Sequence, residues 1–176
     1  KTNTEIDNNQ SPNDFIFVGR EDLDLSSESN ISHYFIKNKF DIIINCAAYT
    51  AVDKAAEEPK LANQINHLAV KQLASIANSQ KARLIHISTD YIFDGDRNKS
   101  YVETDTPNPI NVYGKTKLAG EKALQTVMPM NALIIRTSWL YSEYGNNFVK
   151  TMLKLGKERD ELSVVNDQIG SPTYAA

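Results

Sequence analysis

The chain is short of cysteine, of glycine in its first half and of long apolar runs, and each shortage removes a class of protein. Its single cysteine, Cys46, cannot close an internal disulfide. That fits a reducing, cytoplasmic compartment rather than a disulfide-stapled secreted scaffold. Apolar runs such as Ile42-Ile43-Ile44 fall far short of the ~20 residues of a membrane span, and no signal-peptide pattern opens the sequence. A net charge of -3 lacks the electrostatic footprint of a nucleic-acid binder. Neither a membrane nor a nucleic acid polymer is therefore expected as a partner. The histidines His33, His67 and His86 are scattered, and none has metal-ligand spacing to a cysteine or carboxylate cluster, so no metal site is expected. Gly19 is the only glycine before Gly95, which leaves no glycine-rich phosphate-binding turn in that half.

What is present is alternation. With 41% hydrophobic and 23% charged residues among 176, the composition suits one globular domain with a substantial core. Residues 1–13 are polar and aperiodic and read as a loose start. Phe15-Ile16-Phe17-Val18 reads as a short strand ended by Gly19. Ser26-Ser27 signals a helix start, and Ile31, Tyr34 and Phe35 share one helical face. Phe40 to Asn45 is consecutively apolar, the pattern of a strand buried on both faces. Leu61, Ile65, Leu68, Ala69, Leu73 and Ile76 form a helical stripe. Strands are expected at Arg83–Ser88, Ala132–Thr137 and Leu162–Val165, and helices at Asn111–Gln125 and Phe148–Lys157. A Gly170-Ser171-Pro172 turn follows. Strands alternating with helices predict a parallel sheet covered on both faces with right-handed crossovers.

The chemistry concentrates in Ser88-Thr89-Asp90-Tyr91 and Tyr113-Gly114-Lys115-Thr116-Lys117. Tyr113 and Lys117 are spaced to share a helix face one turn apart. A tyrosine is a weak acid-base group near neutrality, and a lysine cation beside it lowers its pKa. Thr89, ending a strand, offers a hydroxyl to the same pocket. The three suit proton transfer to a carbonyl oxygen while a hydride reaches its carbon. Ala47, Ala48 and Thr50 follow a buried strand, at the place where such sheets bind ligands, and small side chains there admit close approach to the backbone. Asp24-Leu25 follows the strand expected at Phe15–Val18, where an acidic residue can hold a ribose hydroxyl and Arg20 could counter a phosphate. The competing reading of Asp22 and Asp24 is helix-start capping. For Cys46, a small packed residue is favoured over a nucleophile.

Four blocks carry a resemblance. They are Asn45-Cys46-Ala47-Ala48-Tyr49-Thr50-Ala51-Val52-Asp53-Lys54-Ala55, His86-Ile87-Ser88-Thr89-Asp90-Tyr91-Ile92-Phe93-Asp94-Gly95, Pro109 through Glu121, and Arg136-Thr137-Ser138-Trp139-Leu140-Tyr141. In this order they resemble the extended short-chain dehydrogenase/reductase superfamily, and within it the reductases of dTDP-linked 4-keto-6-deoxy sugars. The resemblance implies a Rossmann-like doubly wound sheet, without its first strand and glycine-rich loop and without most of the C-terminal substrate domain. The expected division is a loose segment over 1–14, a partial NAD(P)-binding domain over 15–165 and the start of a substrate-binding part over 166–176. An unpaired sheet edge is a consequence.

The resemblance further implies NAD(P)H-dependent reduction of dTDP-4-dehydro-6-deoxy-L-mannose to dTDP-L-rhamnose. Tyr113 would give the proton, Lys117 would bind the nicotinamide ribose and tune Tyr113, and Thr89 would bond the substrate carbonyl. Asp24, Leu25, Ala47, Ala48, Thr50, Tyr113 and Lys117 would hold the cofactor, and Val52, Asp53, Thr89, Asp90 and Trp139 the sugar. Where the family often has an acidic residue, Ala56 stands here. NADPH is favoured over NADH by the resemblance alone. Some members form homodimers or use magnesium at a subunit contact, and no residues here identify such a site. A nucleotide-sugar epimerase or dehydratase and a non-catalytic reductase-like regulatory subunit are the alternative readings.

Overall fold

A computed structural model of the chain describes residues 14–97 and 99–175. The loose start expected over 1–14 therefore lies, Asp14 apart, outside the described residues. Helix α1 (Glu28–Lys37) begins where Ser27 accepts a hydrogen bond from the Asn30 N–H, the exchange that makes serine a good cap. It leads into strand β1 (Ile42–Asn45). Helices α2 (Val52–Glu57) and α3 (Pro59–Asn63) follow, with Pro59 opening α3, where a missing N–H costs nothing. A π-turn over Gln64–Leu68 joins α3 to α4 (Ala69–Gln80). Lys81, at φ 60, closes α4 in the left-handed conformation.

Strand β2 (Arg83–Thr89) then runs into a single 3-10 turn over Asp90–Ile92. Helix α5 (Val112–Val127) starts at Asn111, whose Oδ1 accepts from the Gly114 N–H. Strand β3 (Ala132–Thr137) completes a three-stranded parallel sheet of order β1-β2-β3. Two-residue strands β4 (Leu140–Tyr141) and β5 (Thr173–Tyr174) pair in parallel on either side of α6 (Phe148–Glu158).

The sheet is one-sided. Ile43, Leu84, Ala132 and Ile134 face a core built from Leu25, Ile31 and Phe35 around α1, Val70, Leu73 and Ala77 of α4, and Leu124 of α5. On the opposite face Ile42, Ile44, Leu133 and Ile135 are 40–54% exposed. The expectation of cover on both faces is thus corrected for the described residues. The consecutive isoleucines are apolar on both faces, yet helices pack on only one.

Two expected strands are also corrected. Phe15–Val18 forms no strand and its four side chains are exposed, because β1 is an edge and no described strand pairs beyond it. Leu162–Val165 is likewise irregular and exposed, lacking a ladder partner. The helical stripe begun at Leu61 spans α3, the π-turn and α4 rather than one regular helix.

Two glycines set the position of α5. A Cβ on Gly114 would overlap the Tyr91 carbonyl, and a Cβ on Gly120 would overlap the Asn66 carbonyl. The helix can therefore lie against the end of β2 and against the π-turn only with hydrogen at both positions.

Candidate active site

The parallel strands all end on the same side, so the segments leaving β1, β2 and β3 collect at one edge of the sheet, the usual ligand side of such folds. There the structure gathers residues 46–53, Thr89–Tyr91 and Ser138–Trp139. Helix α5 brings Tyr113 and Lys117 to this edge, buried to 8% and 1% exposure. Tyr113 shares a small apolar cluster with Ala55 and Ala62, against which Tyr49, Val52 and Val112 pack. Its ring meets that of Tyr91 edge-on at 5.6 Å. Of the predicted sugar residues in this segment, Val52 is therefore packed beside Tyr113, whereas Asp53 in the first turn of α2 is exposed.

Thr89 Oγ1 caps the 3-10 turn by accepting from the Tyr91 N–H and donates to Asp90 Oδ1. Burial raises the Tyr113 pKa above the usual phenol value, the Thr89 side chain opposes that rise, and the Asp90 and Tyr91 charges reinforce it. Burial likewise raises the Asp90 carboxyl. The expected lowering of Tyr113 by Lys117 is not what these side chains produce. Lys117 is itself pushed down to about 8, chiefly by burial, with Glu121 working against the shift. Its Nζ donates to the Ile87 carbonyl at 2.7 Å and lies 3.3 Å from His86 Nε2.

A second set of polar side chains holds this arrangement, and sequence reasoning did not single it out. Asn66, in the π-turn, accepts from the Tyr49 N–H at 2.8 Å and donates to Tyr49 O and to Thr116 Oγ1. Thr116 in turn donates to the Tyr113 carbonyl. The loop after β1 is thereby tied to the helix that carries Tyr113, and π-turns are frequent at such sites. One turn beyond Lys117, Glu121 accepts from Ser88 Oγ and, at both oxygens, from Arg136. The signal was available as position: Tyr113, Lys117 and Glu121 recur every four residues on the face of α5 that its apolar residues bury. Asn66 sits inside an apolar helical stripe.

The remaining predicted residues divide. Ala47 is exposed and Ala48 half-buried, so the backbone past β1 is open to a ligand, with Thr50 exposed beside it. Leu25 lies in the core with Ile31 and Phe35. Asp24 Oδ1 accepts from the N–H and hydroxyl of Ser26, which holds its pKa below the usual carboxylate value, and Arg20 stands 3.8 Å away. Asp22 accepts from the Gly19 N–H. Both aspartates thus serve the turn before α1. Trp139 has φ 47 and is 49% exposed. Gly170 lies against its indole so closely that a Cβ would strike the ring, and Ser138 Oγ donates to the Ser171 carbonyl. Cys46 is exposed rather than packed. Among the described residues no His, Cys, Asp and Glu cluster could hold a metal.

The model of the RmlD substrate binding domain family matches residues 4–176. The chain belongs to that family. It is 53% identical over 152 residues to dTDP-4-dehydrorhamnose reductase of Salmonella typhimurium, covering 86% of this chain and 50% of the relative. The Escherichia coli K12 reductase is 52% identical over the same shares. Among solved structures, dTDP-4-dehydrorhamnose reductase of Bacillus anthracis in complex with NADP has a TM-score of 0.85 at 48% identity, covering 89% of this chain and 56% of the other. A UDP-glucose 4-epimerase at 21% identity, TM-score 0.67, shares the fold. The chain spans about half the length of the curated relatives it matches. As an RmlD-family chain, its sheet, Thr89 at a strand end and the Tyr113–Lys117 pair on α5 form one α/β framework.

The side chains present suit one half of a nicotinamide dinucleotide. A tyrosine hydroxyl and a lysine amine, adjacent on a buried helix face and beside an open loop of small residues, match the hydroxyls of a ribose. The phosphate end would require a glycine-rich turn, and no described residues form one.

Proposed function

We propose that the full-length protein is an NAD(P)H-dependent reductase of the 4-keto group of dTDP-4-dehydro-6-deoxy-L-mannose, yielding dTDP-L-rhamnose. The observation that carries this reading is the convergence of Thr89, Tyr113 and Lys117 at the carboxyl end of the sheet, in a family with an NADP-bound relative. When bound, the nicotinamide would supply the hydride for the sugar C4. Tyr113 gives its phenolic proton to the C4 oxygen, so that C=O becomes CH–OH with atoms and charge balanced. Thr89 donates to that oxygen and orients it. Lys117 binds the nicotinamide ribose and, one turn from Tyr113, favours the phenolate that proton transfer leaves whenever the amine is charged. Ala47, Ala48 and Thr50 line the cofactor side, with the turn carrying Asp24 toward the adenosine end and Leu25 packed beneath it in the core. Val52, Asp53, Asp90 and Trp139 line the sugar side.

NADPH is the proposed reductant, with residues 15–165 as the cofactor-binding part and 166–176 as the start of the substrate part. A cytoplasmic location and a homodimer belong to the same reading. No described helix is long and apolar enough to cross a membrane.

The test is nicotinamide consumption by the full-length protein with this sugar nucleotide. One NADPH oxidised per sugar reduced is expected. Conversion without net cofactor use would replace the reading with an epimerase. Tyr113→Phe should lower kcat by about 10²- to 10⁴-fold, the usual contribution of a general acid, with NADPH affinity nearly unchanged. Near-normal turnover in that variant removes Tyr113 as the proton donor.

A further inference from the structure

His86 is fully buried in the middle of β2 and has no part in the reaction as written above. Its ring sits between two groups whose donor and acceptor roles can be worked out in order. The Ala47 N–H donates to Asn45 Oδ1 at 3.1 Å. This fixes the Asn45 amide, because turning it would set Nδ2 against another N–H. Asn45 Nδ2 then faces His86 Nδ1 at 3.1 Å as a donor, so Nδ1 must accept. A neutral imidazole carries one proton, and with Nδ1 accepting, that proton is on Nε2. Nε2 points at Lys117 Nζ, 3.3 Å away. An ammonium has no lone pair to receive it, whereas a neutral amine has one. The amine's own hydrogens are accounted for: one serves the Ile87 carbonyl and one remains for a ligand.

Resting on the assignment of Lys117 to the cofactor ribose, we propose that His86 is a positioning residue for Lys117. Locked by Asn45 as its Nε2–H tautomer, it donates to Lys117 Nζ and opposes protonation of that amine. The charged surroundings leave this donation in control. Glu121 is the carboxylate that favours the ammonium, and it is already bonded to Arg136 and Ser88. Tyr113 and Asp90 are both held toward their neutral forms by burial. The imidazole itself is kept neutral, pushed down to about 3 chiefly by burial. The donor chain Ala47 N–H, Asn45, His86, Lys117 thus runs from the cofactor loop to the lysine. A shift of that loop changes how readily the lysine becomes a cation, and with it the ease of ionising Tyr113.

Two measurements on the full-length protein test this without reliance on turnover. Nitrogen NMR of the His86 ring should show Nδ1 unprotonated and Nε2 protonated above the Lys117 titration near 8, where the amine is neutral and can accept. The Nδ1–H tautomer or an imidazolium in that range overturns the proposal. Carbon NMR of the Lys117 Cε, assigned with Lys117→Met, should place its titration at or below about 8. In His86→Gln, whose amide can turn its oxygen toward the lysine, the titration should move up by about one unit or more. An unmoved titration in a folded His86→Gln protein assigns His86 to packing alone. In turnover, the same variant should extend the alkaline limb of kcat/KM to higher pH. If the protein proves not to reduce the sugar, both NMR results still stand or fall by themselves.

Discussion

Helices α5 and α6 are built from similar parts and end in opposite situations. Each opens on an asparagine that accepts from the N–H three residues on, Asn111 for α5 and Asn147 for α6. α6 has the stronger apolar stripe, with Phe148, Val149 and Leu153, yet these three are 42–64% exposed and the helix has no buried residue. α5 carries Thr116, Lys117 and Glu121 on its inner face and is buried along most of its length. The difference lies in pins and clearance. Lys117 bonds the β2 backbone, Glu121 bonds β2 and β3, and Gly114 and Gly120 let the helix backbone touch its neighbours. Apolar periodicity supplies a face for burial, whereas polar partners and missing side chains select the surface it meets.

The comparison can be broken first at its strongest pin. Arg136→Ala leaves the Glu121 carboxylate buried at 1% exposure with only Ser88 to serve it. A loss of about 3–5 kcal/mol is expected for such an orphaned charge, read from urea unfolding. A loss below about 1 kcal/mol, the level of a surface ion pair, would mean the pair does not anchor α5.

Acid should separate the helices as well. His86 takes its proton at about 3 when folded, against 6.5 as its ordinary value. Between those pH values the unfolded chain binds more protons, so stability is lost as pH falls through that window. Hydrogen exchange should therefore speed up in α5 and β2 as pH drops from 6.5 toward 3. α6 has no buried titratable group and should show no matching step once intrinsic exchange is corrected for. His86→Gln should flatten the α5 response.

The glycines give the smallest and most local contrast. Gly120→Ala pushes a methyl into the Asn66 carbonyl and should cost about 1–3 kcal/mol. Gly156→Ala in α6 meets open space and should gain about 0.8–1 kcal/mol from helix propensity. Thermal midpoints moving in opposite directions support the contrast. A neutral Gly120→Ala would show that α5 has room to retreat.

Much of the candidate site's local geometry was legible because it is written at short range. The Tyr113–Lys117 spacing fixes a shared helix face, and Thr89 follows from the end of an apolar run. The hydrogen-bonded asparagine and carboxylate around them were not legible in the same way. Asn66 reaches Tyr49 and Thr116 across 17 and 50 residues, and Glu121 reaches Ser88 across 33. Only folding makes such pairs neighbours. Asp22 and Asp24 are a different case: both the ribose and capping readings were open, and their hydrogen bonds are local. Phe15–Val18 and Leu162–Val165 have strand-like composition, but a strand exists only with a partner, which composition does not name.

By itself the sequence determined the alternation of strands and helices, the parallel sheet it implies, and the face on which Tyr113 and Lys117 meet. These follow from backbone periodicity and from the handedness of crossovers, both local properties of the chain. The tertiary structure decided which sheet face is covered, which amphipathic helix is buried, and which groups press on Lys117. Those outcomes depend on distances between residues far apart in sequence, and on the cost of leaving a buried donor or charge without its counterpart.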